Sequence, residues 1–274
     1  MQVDLLYPRQ AVQTPSFRWT VMPESDQLAH GVLEPASREL SGRTVLVTGA
    51  GSDLGATCCL SLAKLGADLL LLDRKKRLME EVCQQVDDYL ESDPAIIEFE
   101  LSKAGEADCQ ILAEGLAGLT RALDGVVHCG LAAWPLAPVM NSKVEHWHQI
   151  HDREAVRPMV LIRSLYPLLK ESGSASVVFC TMSAGRQGRA NWGALGSAFA
   201  SLENISETLA TEWGAHNIRV NTVDISSIPS ALRTRYYPGE VNQKPESGED
   251  HGLARALGDL LRSDSTTSGQ RMTL

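Results

Sequence analysis

Thr44-Val-Leu-Val-Thr-Gly-Ala-Gly-Ser-Asp-Leu-Gly55 joins a short β-branched apolar run, a glycine-rich turn and the first turn of a helix. Such a turn aims unpaired backbone N–H groups and the positive end of a helix dipole at one point, an arrangement suited to a pyrophosphate. Asp73 closes the next apolar run, where a carboxylate would accept from a ribose 2′-OH and disfavour a 2′-phosphate. A glycine-rich turn alone says little. Strand, turn, helix and acid in this order predict a dinucleotide fold.

From Gly42 onward, β-branched or Leu-rich runs alternate with longer helical patterns, the form of a parallel sheet covered on both faces. Strands are expected at 44–48, 68–73, 95–101, 125–129, 176–181 and 219–224, with a short one near Met272. Helices are expected around 54–66, 75–91, 107–122, 143–171, 192–214 and 250–262. The fold class is therefore α/β: one doubly wound, Rossmann-type domain over residues 41–274. Residues 1–40 carry Pro8, Pro15, Pro23 and Pro35 without a sustained period, so they read as an extension that acts as a tail or clasp. Tyr7, Phe17 and Trp19 are available to pack it onto the body.

The chain has 274 residues, 43% of them apolar and 22% charged, enough for one large domain with a substantial core. Its net charge of −9 would repel a nucleic-acid backbone or an anionic membrane. No run reaches the length of a membrane span, and the first thirty residues lack a basic start followed by an apolar core. Six Cys without framework spacing suit a reducing cytoplasm.

Ser-Val-Val-Phe-Cys-Thr-Met-Ser-Ala-Gly-Arg-Gln-Gly-Arg-Ala-Asn-Trp-Gly-Ala-Leu-Gly-Ser-Ala-Phe-Ala, residues 176–200, resembles the active-site strand, loop and helix of the short-chain dehydrogenase/reductase family. Its 185–194 portion, Gly-Arg-Gln-Gly-Arg-Ala-Asn-Trp-Gly-Ala, is similar to the YciK-like subgroup of uncharacterised bacterial oxidoreductases. The family fingerprint TGxxxGxG falls on Thr48, Gly49 and Gly55, with Asp53 in place of the middle glycine. The resemblance, which covers residues 42–274, implies an NAD site formed by Gly49, Gly51, Asp53, Leu54, Gly55, Asp73, Leu101 and Cys129. It also marks four catalytic positions, Asn, Ser, Tyr and Lys in the family, which here hold Glu154, Met182, Leu195 and Phe199. The family's Asn-Ala-Gly after the fourth strand becomes Cys129, Gly130 and Leu131, and its Pro-Gly after the sixth becomes Ile225 and Ser226.

A tyrosine passes a proton to a carbonyl because a nearby ammonium lowers its pKa and a serine hydroxyl fixes the substrate. Thioether, isobutyl and phenyl groups can do none of this. The expectation is thus a catalytically inactive relative that acts through binding, as a ligand sensor or partner subunit. The alternative is an NAD-dependent oxidoreductase that uses substitute groups on a small carbonyl or alcohol. Asp53 should weaken nucleotide binding, since like charges ~5 Å apart at an effective dielectric of ~20 repel by ~3 kcal/mol, an upper-end figure. Asp53 can be read as a helix N-cap or, in the sharper version, as a carboxylate occupying the anion site itself.

Other candidates have plainer readings. Thr181 and Ser183 read as strand-end hydrogen bonders, and Arg186 and Arg189 as solvated loop residues. Cys129, Cys180 and the adjacent His128 could form a ligand set, but buried Cys usually behaves as a small apolar group, so no metal is expected. His146, His148 and His151 read as solvated or partner-facing. Val160, Ile162, Leu165, Leu168, Ala198, Leu202, Ile205 and Leu209 look like more apolar residues than one core needs. With the family's habit of pairing these helices, they predict a homodimer or a heterodimer with an active relative, its C-terminal contacts curtailed by the short terminal strand.

Overall fold

The computed structural model describes residues 38–239 and 252–274, together with the backbone of Trp19–Val21. Eight strands form one sheet: β1 (Trp19–Val21), β2 (Thr44–Thr48), β3 (Asp68–Asp73), β4 (Ala95–Glu98), β5 (Gly125–His128), β6 (Ala175–Thr181), β7 (Ile218–Asp224) and β8 (Arg271–Thr273). Their order is β1-β4-β3-β2-β5-β6-β7-β8. Strands β2 to β8 pair in parallel, while β1 adds an antiparallel edge to β4. The extension thus does reach the body, through a strand that its proline-rich composition did not announce. Tyr7, Phe17 and the side chain of Trp19 lie outside the described residues.

The helices are α1 (Asp53–Lys64), α2 (Lys76–Val86), α3 (Glu106–Ala117), α4 (Val144–His151), α5 (Arg157–Ser172), α6 (Gly193–Trp213), α7 (Ala231–Tyr236) and α8 (Leu253–Leu261). Alternation along each central strand sends side chains to opposite faces. Val45, Val47, Leu69 and Leu71 pack with α1, α2 and α8, whereas Leu46, Leu70, Leu72 and Val126 pack with α3 and α5. Strand order reverses between β2 and β5, which opens a crevice beyond their carboxyl ends.

Two expectations need correction. The helix anticipated over 143–171 is interrupted by a π-helical stretch, Asp152–Val156. Pro158 supplies a cause, because it has no N–H to return to the carbonyl of Glu154 four residues earlier. The apolar surplus on α5 and α6 also disappears. Ile162, Leu165, Leu168, Ala198, Leu202 and Leu209 lie in the chain's own core, and Val160 and Ile205 pack against it half-buried. The residue count that pointed to a dimer therefore measures the thickness of the domain.

The crevice rests on close backbone contacts. A Cβ on Gly49, whose φ is +70°, would lie 2.7 Å from Gly130 Cα, and one on Gly55 would lie 2.1 Å from Gly49 O. Gly55→Ala should therefore cost about 3 kcal/mol, the upper end for overpacking. Gly188→Ala, with nothing within 4 Å of the added methyl, should be far milder. Urea denaturation of both variants checks this; equal stabilities would contradict the contact.

Candidate functional site

Ser52 caps α1: its Oγ accepts from Gly55 N at 3.0 Å and donates to Gly49 O at 2.8 Å. This displaces the N-cap reading of Asp53, which is the first residue inside the helix. Nor does its carboxylate turn onto the loop's own amides. Asp53 Oδ2 accepts from the N–H of Ala231, the first residue of α7, so it fastens the segment above the crevice to the glycine-rich turn.

Asp73, at the end of β3, accepts from Gly51 N through Oδ2 and from Lys75 N through Oδ1, each at 3.2 Å. Gly51 is needed for this approach, because a Cβ there would sit 2.9 Å from Leu78 Cβ and 3.3 Å from Asp73 Cγ. These residues border a cleft of about 260 Å³. Its walls also bring together Gly49, Leu101 and Cys129, and they add Arg74, Lys75, Arg153 and Arg157. Asp53, Leu54 and Gly55 do not line it. Leu54 is core, 5% exposed, and Gly55 serves the close turn.

Beyond this cleft the crevice is filled. Met182, Leu195 and Phe199 are 1%, 2% and 1% exposed and belong to one apolar cluster. Glu154, in the π-helical stretch, is equally buried. Its Oε1 accepts from Trp134 Nε1 at 2.7 Å and from Ala132 N at 3.2 Å, while Oε2 has no hydrogen-bond partner among the described residues. Burial raises its pKa to about 7, against the lowering pull of Trp134, Arg153 and Ala132.

The segment after β5 and helix α7 close the top. Tyr236 Oη accepts from Trp134 N at 2.9 Å, and burial pushes its phenol up to about 12. Arg189 donates to Tyr237 Oη at 2.6 Å and to Ser183 Oγ at 3.0 Å, so it is a latch where a solvated residue was expected. Arg186 is likewise engaged, with Glu203 at 3.0 Å and Thr273 Oγ1 at 2.8 Å. Thr181 Oγ1 donates to the buried Glu203 at 2.9 Å, and Ser226 Oγ lies 3.2 Å from Ser183 Oγ.

His128 points away from this side: it shares a 2.7 Å hydrogen bond with Thr48 Oγ1, and burial lowers its pKa to about 4. His151 meets Ser197 Oγ at 2.9 Å and stacks on Trp147, while His146 borders a second cavity of about 290 Å³ beneath Trp134 and Leu136. Sequence reasoning missed Trp134, Tyr236 and α7, which lie in segments without periodicity. Only Ser230 carried a signal, as the cap that accepts from Arg233 N at 3.1 Å. Residues 240–251, which follow α7, lie outside the described residues.

The sequence model of the family described as enoyl-(acyl carrier protein) reductase matches residues 49–258. The uncharacterized oxidoreductase YciK of Escherichia coli K12 is 30% identical over 217 residues, covering 79% of this chain and 86% of its own. The chain belongs to the short-chain dehydrogenase/reductase family. A short-chain dehydrogenase from Shigella flexneri superposes with a TM-score of 0.81 at 27% identity, covering 88% of this chain and 93% of that one. A putative short-chain dehydrogenase from E. coli CFT073, crystallised with NADPH, gives 0.79 at 28% identity and covers 87% and 99%. Relatives of the chain carry oxidoreductase names, and two related structures were crystallised with NADPH or NADP. No helix among the described residues is long and apolar enough to cross a membrane.

The open part of the crevice lies beside Asp73, Arg74 and Lys75, Asp53 stands at the glycine-rich turn, and the far end is packed with Met182, Leu195 and Trp134.

Glu154 yields a pH test. Its folded pKa stands above the ordinary 4.5, so the stability tied to the protonated form is complete below 4.5 and lost as pH rises through about 7. Glu154→Gln removes this loss and should gain on the wild type between pH 5 and pH 8, by about 3 kcal/mol at most. His128 titrates in both proteins and cancels. Urea denaturation at the two pH values checks it, and a pH-independent difference would contradict the assignment.

Proposed function

We propose that this family member is catalytically inactive and acts through binding, as a ligand sensor or as the partner subunit of an active relative. The observation that carries this reading is the burial of Met182, Leu195 and Phe199 at the positions where the resemblance calls for a hydroxyl, a phenol and an ammonium. None can donate or accept a proton. Glu154 is the one ionisable group at the four positions, and Trp134 and Ala132 already hold it.

Nucleotide binding in this reading is weak and confined to the adenosine end, with NAD preferred over NADP because Asp73 faces the ribose position. Arg74 and Lys75 border the same cleft, and two related structures hold NADPH or NADP, so the preference is a separate question from the affinity.

A second reading has one observation in its favour. A buried carboxyl with a pKa near 7 has the value a general acid needs at neutral pH, and the relatives carry oxidoreductase names. The two readings separate in a kinetic assay. The purified protein, given NADH or NADPH with a broad carbonyl panel and NAD or NADP with alcohols, should show no turnover above background. Turnover that copurifies with the chain and falls by about a hundredfold in Glu154→Gln would replace the first reading with the second.

A further inference from the structure

Cys58 on α1, Cys129 just after β5 and Cys180 in β6 come from three separate elements, yet their Sγ atoms lie within 4.8 Å of one another. Cys129 Sγ is 3.3 Å from Cys58 Sγ and 3.8 Å from Cys180 Sγ. None of the three forms a disulfide, and all are buried, at 0%, 2% and 0% exposure. One buried Cys is ordinarily a small apolar residue. Three converging thiols are a triangle of soft donors.

The size of the triangle can be tested. A metal ion with bonds of about 2.3 Å to three sulfurs in a plane sets those sulfurs about 4 Å apart. Separations of 3.3 and 3.8 Å, with the third no greater than 4.8 Å, bracket that spacing, so side-chain adjustments of a few tenths of an ångström suffice.

Donor chemistry then selects the ion. Among the described residues no imidazole or carboxylate joins the group. His128 is adjacent in sequence, but its ring is bonded to Thr48. Structural zinc asks for a fourth ligand, whereas soft thiolates alone suit Cu(I). Leu54, Val47 and Met182 belong to the same apolar cluster as the three sulfurs, a shell that limits water and oxidant. Cys129 also borders the nucleotide cleft, which gives an ion a way in.

The geometry points to a soft-metal site, Cys58–Cys129–Cys180, that binds one Cu(I) per chain in trigonal sulfur coordination. Binding replaces thiol protons, which leave to water, and changes no oxidation state. The site does not depend on whether the crevice above it is catalytic.

The test uses the full chain, reduced and kept anaerobic, titrated with Cu(I) against the chromogenic chelator bicinchoninate. One equivalent should be withdrawn from the chelator, and X-ray absorption at the copper edge should show a shell of three sulfurs. Cys129→Ser should weaken binding by about a hundredfold or more, while Cys109→Ser, on α3 at the opposite face, should leave it unchanged. Circular dichroism checks the fold of each variant; should Cys129→Ser fail to fold, the sulfur shell of the wild type decides. No stoichiometric uptake, nitrogen or oxygen in the shell, or equal affinity in a folded Cys129→Ser would each overturn the site. Tight Zn(II) binding with Cu(I) left on the chelator would overturn the choice of ion.

Discussion

The turn after β2 meets the backbone after β5 at a separation that a single methyl group would close. Gly49 faces Gly130, and Gly55 faces the carbonyl of Gly49. Every feature of the crevice takes its position from this contact. It brings Thr48 beside His128, sets Cys129 against Cys58, and starts α1 where Ser52 can cap it. A larger residue at Gly49 or Gly55 would widen the switch point and dissolve the arrangement.

Above that contact, two kinds of interaction close the crevice. Apolar burial fills the far end, with Met182, Leu195 and Phe199 joined to the main core. Polar contacts tie the top: Asp53 to Ala231, Tyr236 to Trp134, and Arg189 to Tyr237. A neutral hydrogen bond such as that of Tyr236 contributes about 1 kcal/mol and one to a charged group about 1.5–3 kcal/mol before solvent screening, so the closure is held jointly by several contacts and by the burial beneath them. The near half stays open because Gly51 lets the Asp73 carboxylate turn inward beside Arg74 and Lys75.

The central sheet was legible because each strand is a short apolar run ending where a turn begins. The glycine-rich turn and Asp73 were legible from the strand, turn and helix pattern, and Leu101 and Cys129 from the family resemblance; all of them border one cleft. What was not legible depended on groups far apart in sequence. Asp53 and Ala231 are 178 residues apart, and Cys58 and Cys129 are 71 apart, with no local pattern to pair them. The break at Glu154 could have been read from Pro158, but the apolar period runs through it undisturbed. Most of the apolar residues that suggested pairing on α5 and α6 are buried in the chain's own core, so their number does not bear on assembly.

We propose that the Asp53 carboxylate, beside the glycine-rich turn, and the segment it fastens weaken nucleotide binding. Calorimetric titration of NAD into the wild type and Asp53→Gly tests it most directly. The account predicts weak or undetectable binding by the wild type. It predicts an affinity up to about a hundredfold higher in the variant, whose nucleotide-free form should also be less stable for want of the Ala231 contact. Wild-type binding near micromolar, unchanged by the substitution, would contradict it.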